Sequence, residues 1–178
     1  MQLTKGHLTR IYCKIRGVRL EAGKNLRVEG RLIIRGPGRV ILGNNVRIGG
    51  VVTPWTYRTD AVIEIGDDSF VNGASFGAWQ KISIGRRCIL GRCHIMDTDF
   101  HSVSADRHKP DALVRVLQVT LGENVWIGAN VGILPGTSVG QDSVVGFGAV
   151  CSGSYPSGVV IAGNPARVIR PIDETNGK

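Results

Sequence analysis

Three of the four histidines fall in one stretch, His94-Ile-Met-Asp-Thr-Asp-Phe-His101 and on to His108. An unperturbed imidazole titrates near ~6.5, so it can take up and release a proton at neutral pH. A positioned imidazole is therefore the commonest general base. Asp97 and Asp99 stand close enough in sequence to fix the His101 tautomer and stabilise its charged form. His94, His101 and His108 also raise the question of zinc, because three imidazoles and a water make a catalytic zinc shell. Their seven-residue steps straddle a break in the periodic pattern described next, which argues against one ligand set. The four cysteines (Cys13, Cys88, Cys93, Cys151) form no CxxC pair, which points to a reduced, cytoplasmic setting. No GxSxG elbow offers a nucleophilic serine.

The elements that would position these groups are written in a six-residue period. Leu121, Ile127, Ile133, Val139, Val145 and Cys151 are apolar and evenly spaced. Glycine follows most of them, at Gly122, Gly128, Gly140 and Gly146. Val125, Val131, Thr137, Ser143 and Ala149 fill a third channel of small or β-branched residues. A second block reads Ile65, Val71, then Ile84, Leu90 and Met96, with Ser69, Ser75 and Cys88 in the small channel. A weaker one reads Leu20, Leu26, Leu32, Leu42 and Ile48. Each hexad is a short strand and a corner, the apolar residue pointing inward and the glycine permitting the corner's backbone angles. Three hexads close a coil, and stacked coils bury a continuous core. On this pattern Cys88 and Cys151 face the core and Cys93 lies near a coil surface. The chain divides into a basic segment (1–19), a β-helix (20–153) with insertions at 54–60 and 97–118, and a C-terminal turn and tail (154–178), with a short cap or helix expected from Ala166.

The stretch VTLGENVWIGANVGILPGTSVGQDSVVGFGAV, followed by VVIAGNPARVIR, resembles the left-handed β-helix acyltransferases. These include galactoside, maltose, serine and surface-polysaccharide O-acetyltransferases. The resemblance covers Ile63 to Arg170, and more loosely the chain from Leu20. It implies an all-β, left-handed parallel β-helix, a homotrimer with active sites between subunits, and acetyl-CoA as co-substrate without a metal. It assigns His101 as general base, with Asp99 or Asp97 behind it. Asn72, in FVNGAS, falls where sugar acetyltransferases often keep an asparagine facing the acceptor; a corner asparagine satisfying backbone groups is the alternative. The resemblance also implies that Trp126, Gly128 and Ala129 from one coil, and Gly146, Gly148 and Ala149 from the next, line the donor groove. Arg167 and Arg170 stand where relatives place cations for the coenzyme A phosphates. Where many relatives have Thr-Lys-Asp after the last hexad, this chain has Ser152-Gly153-Ser154, and so lacks the lysine that those relatives place near the phosphates.

The resemblance implies acetyl transfer from acetyl-CoA to a sugar hydroxyl, with a cell-surface polysaccharide or its precursor as the expected acceptor. A γ-type carbonic anhydrase-like zinc enzyme and a non-catalytic β-helix scaffold are the alternatives. The net charge of +8 is lopsided: through Asp60 there are 12 Lys/Arg against 3 Asp/Glu, and from Ala61 onward 10 against 11. A basic N-terminal part suits an anionic partner such as a membrane face or lipid-linked diphosphate, or it is a solvated outer face. It lacks interleaved aromatics for stacking bases, which argues against nucleic acid. No apolar run long enough to span a bilayer and no signal peptide are read.

Overall fold

A computed structural model describes residues 2–172, with side chains from residue 5. Helix α1 (Gln2–Ile15) is followed by seven coils of short strands. The first coil is β1 (Arg19–Ala22), β2 (Arg27–Val28) and β3 (Arg31–Leu32), and the second β4 (Arg39–Leu42), β5 (Arg47–Gly49) and β6 (Val51–Thr56). The third is β7 (Val62–Ile65), β8 (Phe70–Asn72) and β9 (Ser75–Ala78), and the fourth β10 (Lys81–Ile84), β11 (Ile89–Leu90) and β12 (His94–Met96). The fifth is β13 (Val119–Leu121), β14 (Trp126–Ile127) and β15 (Gly132–Ile133), and the sixth β16 (Ser138–Val139), β17 (Val144–Val145) and β18 (Val150–Cys151). The seventh has β19 (Ser154–Tyr155) and β20 (Val159–Gly163), after which β21 (Ala166–Pro171) folds back antiparallel on β20.

Stacking makes three parallel sheets, the faces of a triangular prism. Face I is β1-β4-β7-β10-β13-β16-β19, face II is β2-β5-β8-β11-β14-β17-β20-β21, and face III is β3-β6-β9-β12-β15-β18. The hexad readings locate the core. Leu121, Ile127, Ile133, Val139, Val145 and Cys151 are all buried, as are Val125, Val131, Thr137, Ser143 and Ala149. Inward residues stack in register, as in Ile84↔Leu121↔Val139.

The structure corrects the pattern where corners change length. In the fourth coil Ile95, not Met96, takes the inward place, paired with Phe76 and Ile133. Ile95 follows Leu90 by five positions instead of six, so the corner before β12 is one residue short of the period, and Cys93 becomes fully buried. The same shortening after Val71 turns Ala74 and Phe76 inward and Ser75 outward. The expected 54–60 insertion is narrower, because Pro54 to Thr56 belong to β6. Residues from Ala166 form a strand rather than a helix, tied to the coil where the Tyr155 hydroxyl donates to the Ala166 carbonyl (3.3 Å). Residues 173–178 of the expected tail lie outside the described residues.

The corner glycines also do something other than expected. Gly66, Gly85, Gly122 and Gly140 are not in the left-handed region; a Cβ there would run into the backbone of the next coil, at 2.6 Å from Gln141 N in the case of Gly122. The left-handed residue of the corner between faces I and II is instead Asn25, Asn45, Asp68, Arg87, Asn124 and Asp142, and then Gly158. Asn and Asp tolerate that conformation. Their side chains form ladders, Asn25 Nδ2 to Asn45 Oδ1 (3.0 Å), Asn45 Nδ2 to Asp68 Oδ1 (2.8 Å) and Asn124 Nδ2 to Asp142 Oδ1 (2.8 Å).

Candidate active site

The long loop between β12 and β13 leaves the prism at the corner of faces III and I. Its base is fixed by Asp97, fully buried. Asp97 Oδ1 accepts from Trp79 N, and Oδ2 from Gln80 N and Lys81 N, each at 2.7 Å. Those amides belong to the same corner one coil earlier. Asp97 is thereby an anchor, with both oxygens committed to backbone, and not a partner of His101. Antiparallel pairing of Thr98 with Val116, and Leu117 N donating to the Asp97 carbonyl (2.9 Å), zip the loop's two ends.

His101 stands exposed beyond this zip, on the wall of an open cavity of about 670 Å³ with Asp99, Ser102, Val103, Arg107 and His108. His101 N donates to the Asp99 carbonyl at 2.7 Å. The Asp99 carboxylate is forked by Arg115, Nε to Oδ2 at 3.0 Å and Nη2 to Oδ1 at 3.2 Å. Asp99 thus shares the cavity with His101 while its charge is held by Arg115, a cation the sequence reading did not single out. His94 lines a different cleft, so His94, His101 and His108 are not one ligand set. Among the described residues no group of three or more His, Cys, Asp or Glu is placed to hold a metal.

That second cleft, about 350 Å³, was not anticipated. It is lined by Arg35, Thr53, Trp55, Tyr57, Ser75 and His94, with Met96 and Phe100 at one end. Trp55 and Tyr57 stack at 5.1 Å, Tyr57 and Trp79 at 6.3 Å, and Phe100 meets Tyr57 edge-on at 4.9 Å. The Arg35 guanidinium lies 5.4 Å from the Trp55 ring centre. Phe100 adopts a left-handed φ of 60° and packs onto Gly77, whose lack of a Cβ makes room for the ring. The aromatic row thus abuts the residue that precedes His101. Only the clustering of Trp55 and Tyr57 is visible in sequence, because the row is assembled from two coils and the loop.

The other singled-out residues lie on faces II and III and the edge between them. Trp126 is 53% exposed on face II. Gly128 and Gly146 form a narrow track down the edge, continued by Ala162, whose register partner on β21 is Arg167. Gly148 (φ 71°) opens to solvent, with no atom near the place of a Cβ. Arg170 pairs with Val160 in the same hairpin and donates Nη1 to the Pro171 carbonyl at 3.0 Å. Asn72 is exposed on this edge two coils before Ala129, leaning over Gly49 and Gly50. Ala149 departs from expectation: its side chain faces the prism axis and is fully buried, so it cannot line an outer groove. The structure therefore gathers His101 and Asp99 on one edge and Asn72, Gly128, Ala129, Gly146, Gly148 and Arg167 on another.

The cysteines are poor nucleophiles. Burial pushes the Cys93 thiol up to about 12 and Cys151 up to about 11, and also raises Cys13 and Cys88. A thiol this far above neutrality supplies almost no thiolate.

Residues 118–153 match the family model described as bacterial transferase hexapeptide (six repeats). The chain is 34% identical over 152 residues to the Escherichia coli K12 protein named putative lipopolysaccharide biosynthesis O-acetyl transferase WbbJ, covering 77% of this chain and 74% of that one. It is 37% identical over 97 residues to galactoside O-acetyltransferase of Lactococcus lactis, covering 54% of this chain and 46% of the enzyme. The matched stretch spans less than half the length of several curated relatives. A solved structure of galactoside acetyltransferase in complex with coenzyme A superposes with a TM-score of 0.58 at 26% identity, over 94% of this chain and 72% of that one. The repeat, the coiled architecture and the extended match to WbbJ place this chain in the hexapeptide-repeat acetyltransferase family.

Proposed function

We propose that the protein transfers an acetyl group from acetyl-CoA to a sugar hydroxyl, of a cell-surface polysaccharide or its precursor, by direct transfer with His101 as general base. The observation that carries this reading is the position of His101 in a chain of this family. It stands exposed in an open cavity, on a loop whose base is locked to the coil by Asp97. His101 takes the acceptor's hydroxyl proton as the oxygen attacks the thioester carbonyl carbon. The carbon–sulfur bond then breaks, and the proton passes to the leaving thiolate. The raised cysteine pKa values speak against a covalent acyl-cysteine route.

The narrow track of Gly128, Gly146 and Ala162 leaves room for a pantetheine arm, with Arg167 at its foot for phosphate. Arginine's forked donors suit that anion. The donor track and His101 lie on different edges of the prism, so a homotrimer would complete each site with one edge from each of two copies. Exposed Phe147 (73%) and Leu113 (90%) are in keeping with surfaces that a neighbouring copy covers. The aromatic cleft beside Phe100 offers flat ring faces and the Arg35 cation for a sugar acceptor.

The test is thiol release from acetyl-CoA with a panel of glycan acceptors, comparing the wild type with His101→Ala. The variant should turn over at least about 10²-fold more slowly while melting at the wild-type temperature. Near-normal turnover would sink the assignment of His101.

A further inference from the structure

Helix α1 carries an apolar stripe that the fold leaves uncovered. The residues turned to the first coil are Gly6 and Cys13, both buried, with Thr9 and Arg10 half-buried between them. Arg10 bonds the Gly23 carbonyl across this contact. Leu8, Ile11, Tyr12 and Ile15 occur at i, i+3, i+4 and i+7, the spacing of one helix face. All four are exposed, from 44% at Ile11 to 78% at Ile15. An amphipathic helix ordinarily packs such a stripe on its own core; here the opposite face does the packing. Helical spacing puts Lys5 and Arg16 along one border of the stripe and His7 and Lys14 along the other, and all four are exposed. No Asp or Glu occurs before Glu21. Leu8 and Tyr12 also border a cavity of about 480 Å³ whose far wall is Arg31 to Ile34, so the apolar strip continues onto the first coil.

We infer that this face docks on an anionic lipid bilayer, the stripe entering the boundary between headgroups and acyl chains and the bordering cations meeting lipid phosphates. An apolar stripe with a cationic border and no acidic residue is the pattern of an interfacial helix. Charge also decides between occupants. A second copy docked stripe to stripe would set these cations against their own counterparts, whereas an anionic leaflet attracts them. The helix is too short and too charged to span the bilayer, and no helix among the described residues is long and apolar enough to do so. The inference stands apart from the acetyl-transfer reading, since it uses none of the residues assigned to that reaction.

The experiment is flotation of the full chain with vesicles of phosphatidylcholine alone and of phosphatidylcholine mixed with phosphatidylglycerol, at low and high salt. The wild type should float with the anionic vesicles only, and less so at high salt. A Leu8→Ser, Ile15→Ser double variant, altered only at exposed positions, should keep the wild-type melting temperature and bind at least about 10-fold more weakly. Absence of binding to the anionic vesicles, or equal binding by the variant, overturns the inference. So does a variant whose oligomer falls apart in size-exclusion chromatography, which would assign the stripe to a contact between copies.

Discussion

Two corners of the same prism are built on opposite plans. Between faces I and II every coil turns alike, with one residue at φ 56–68° and, from the second coil on, an amide hydrogen bond to the coil before it, as in Asp68 N to the Asn44 carbonyl (2.8 Å) and Asn124 N to the Arg86 carbonyl (2.9 Å). Between faces III and I no two turns match. One holds Tyr57 to Ala61, the next Trp79 and Gln80, and the next the whole loop from Asp97 to Gln118. The first corner is held by repetition, each coil satisfying its neighbour. The second lacks one recurring bond of this kind, and its longest turn is held by a dedicated anchor, the buried Asp97 carboxylate. Freed from the repeat, it is also where His101, Asp99 and the aromatic row collect. Functional groups gather on loops carried by a rigid scaffold for this reason.

Removing the anchor should have the largest effect. Asp97→Ala leaves the amides of Trp79, Gln80 and Lys81 without their acceptor in a part-buried corner. Hydrogen bonds to a charged group and the desolvation of orphaned donors together place the loss at about 4 kcal/mol. Chemical denaturation measures it, and thiol release should fall with it because the loop that carries His101 is no longer zipped. If stability holds and only activity falls, the anchor is local to the loop and the contrast between the corners is weaker than drawn here.

Gly122→Ala tests the repeating corner. The added methyl meets Gln141 N at 2.6 Å and Gln141 Cα at 2.9 Å, backbone atoms that cannot rotate away. Separating two coils against their hydrogen bonds should cost about 3 kcal/mol. A loss below about 0.5 kcal/mol, the range of neutral surface changes, would show that this corner relaxes easily and that repetition is not what holds it.

The two plans also account for what could be read from sequence. A residue that recurs every six positions, such as Leu121 or Val139, announces its inward direction, because one geometry is imposed again and again. A corner one residue short breaks the count silently, so the period points to Met96 where Ile95 turns inward and puts the buried Cys93 at a surface place. Glycine in the period suggests the left-handed residue of the corner, yet Asn and Asp take that conformation and glycine serves close approach. On the irregular corner, local sequence marks the interruption and little else. Trp55, Tyr57, Trp79 and Phe100 meet only after the coils stack, and Arg115 reaches Asp99 across the closed base of the loop. His101 itself was legible, because a titratable residue lodged in a break of a repeat is conspicuous; its surroundings were not.

The smallest effect is read by pH at the third corner, between faces II and III, where the repeat is one residue short. Burial holds the Cys93 thiol neutral, pushing it up to about 12 from an ordinary value of 9.0. Above pH 9 the unfolded chain ionises this thiol and the folded chain does not, so the unfolded state binds fewer protons and stability falls as pH rises. The contribution is fully present below pH 9 and is lost progressively between 9 and about 12. For this one group it amounts to about 1.4 kcal/mol at pH 10, by the linkage of one pKa unit to 1.36 kcal/mol. Denaturation of Cys93→Ala at pH 8 and pH 10 should therefore show a smaller alkaline loss than the wild type, by about that amount. Equal losses in the two proteins would mean that Cys93 is reached by solvent in the folded state, and the short corner before β12 would then be looser than the repeating corner opposite it.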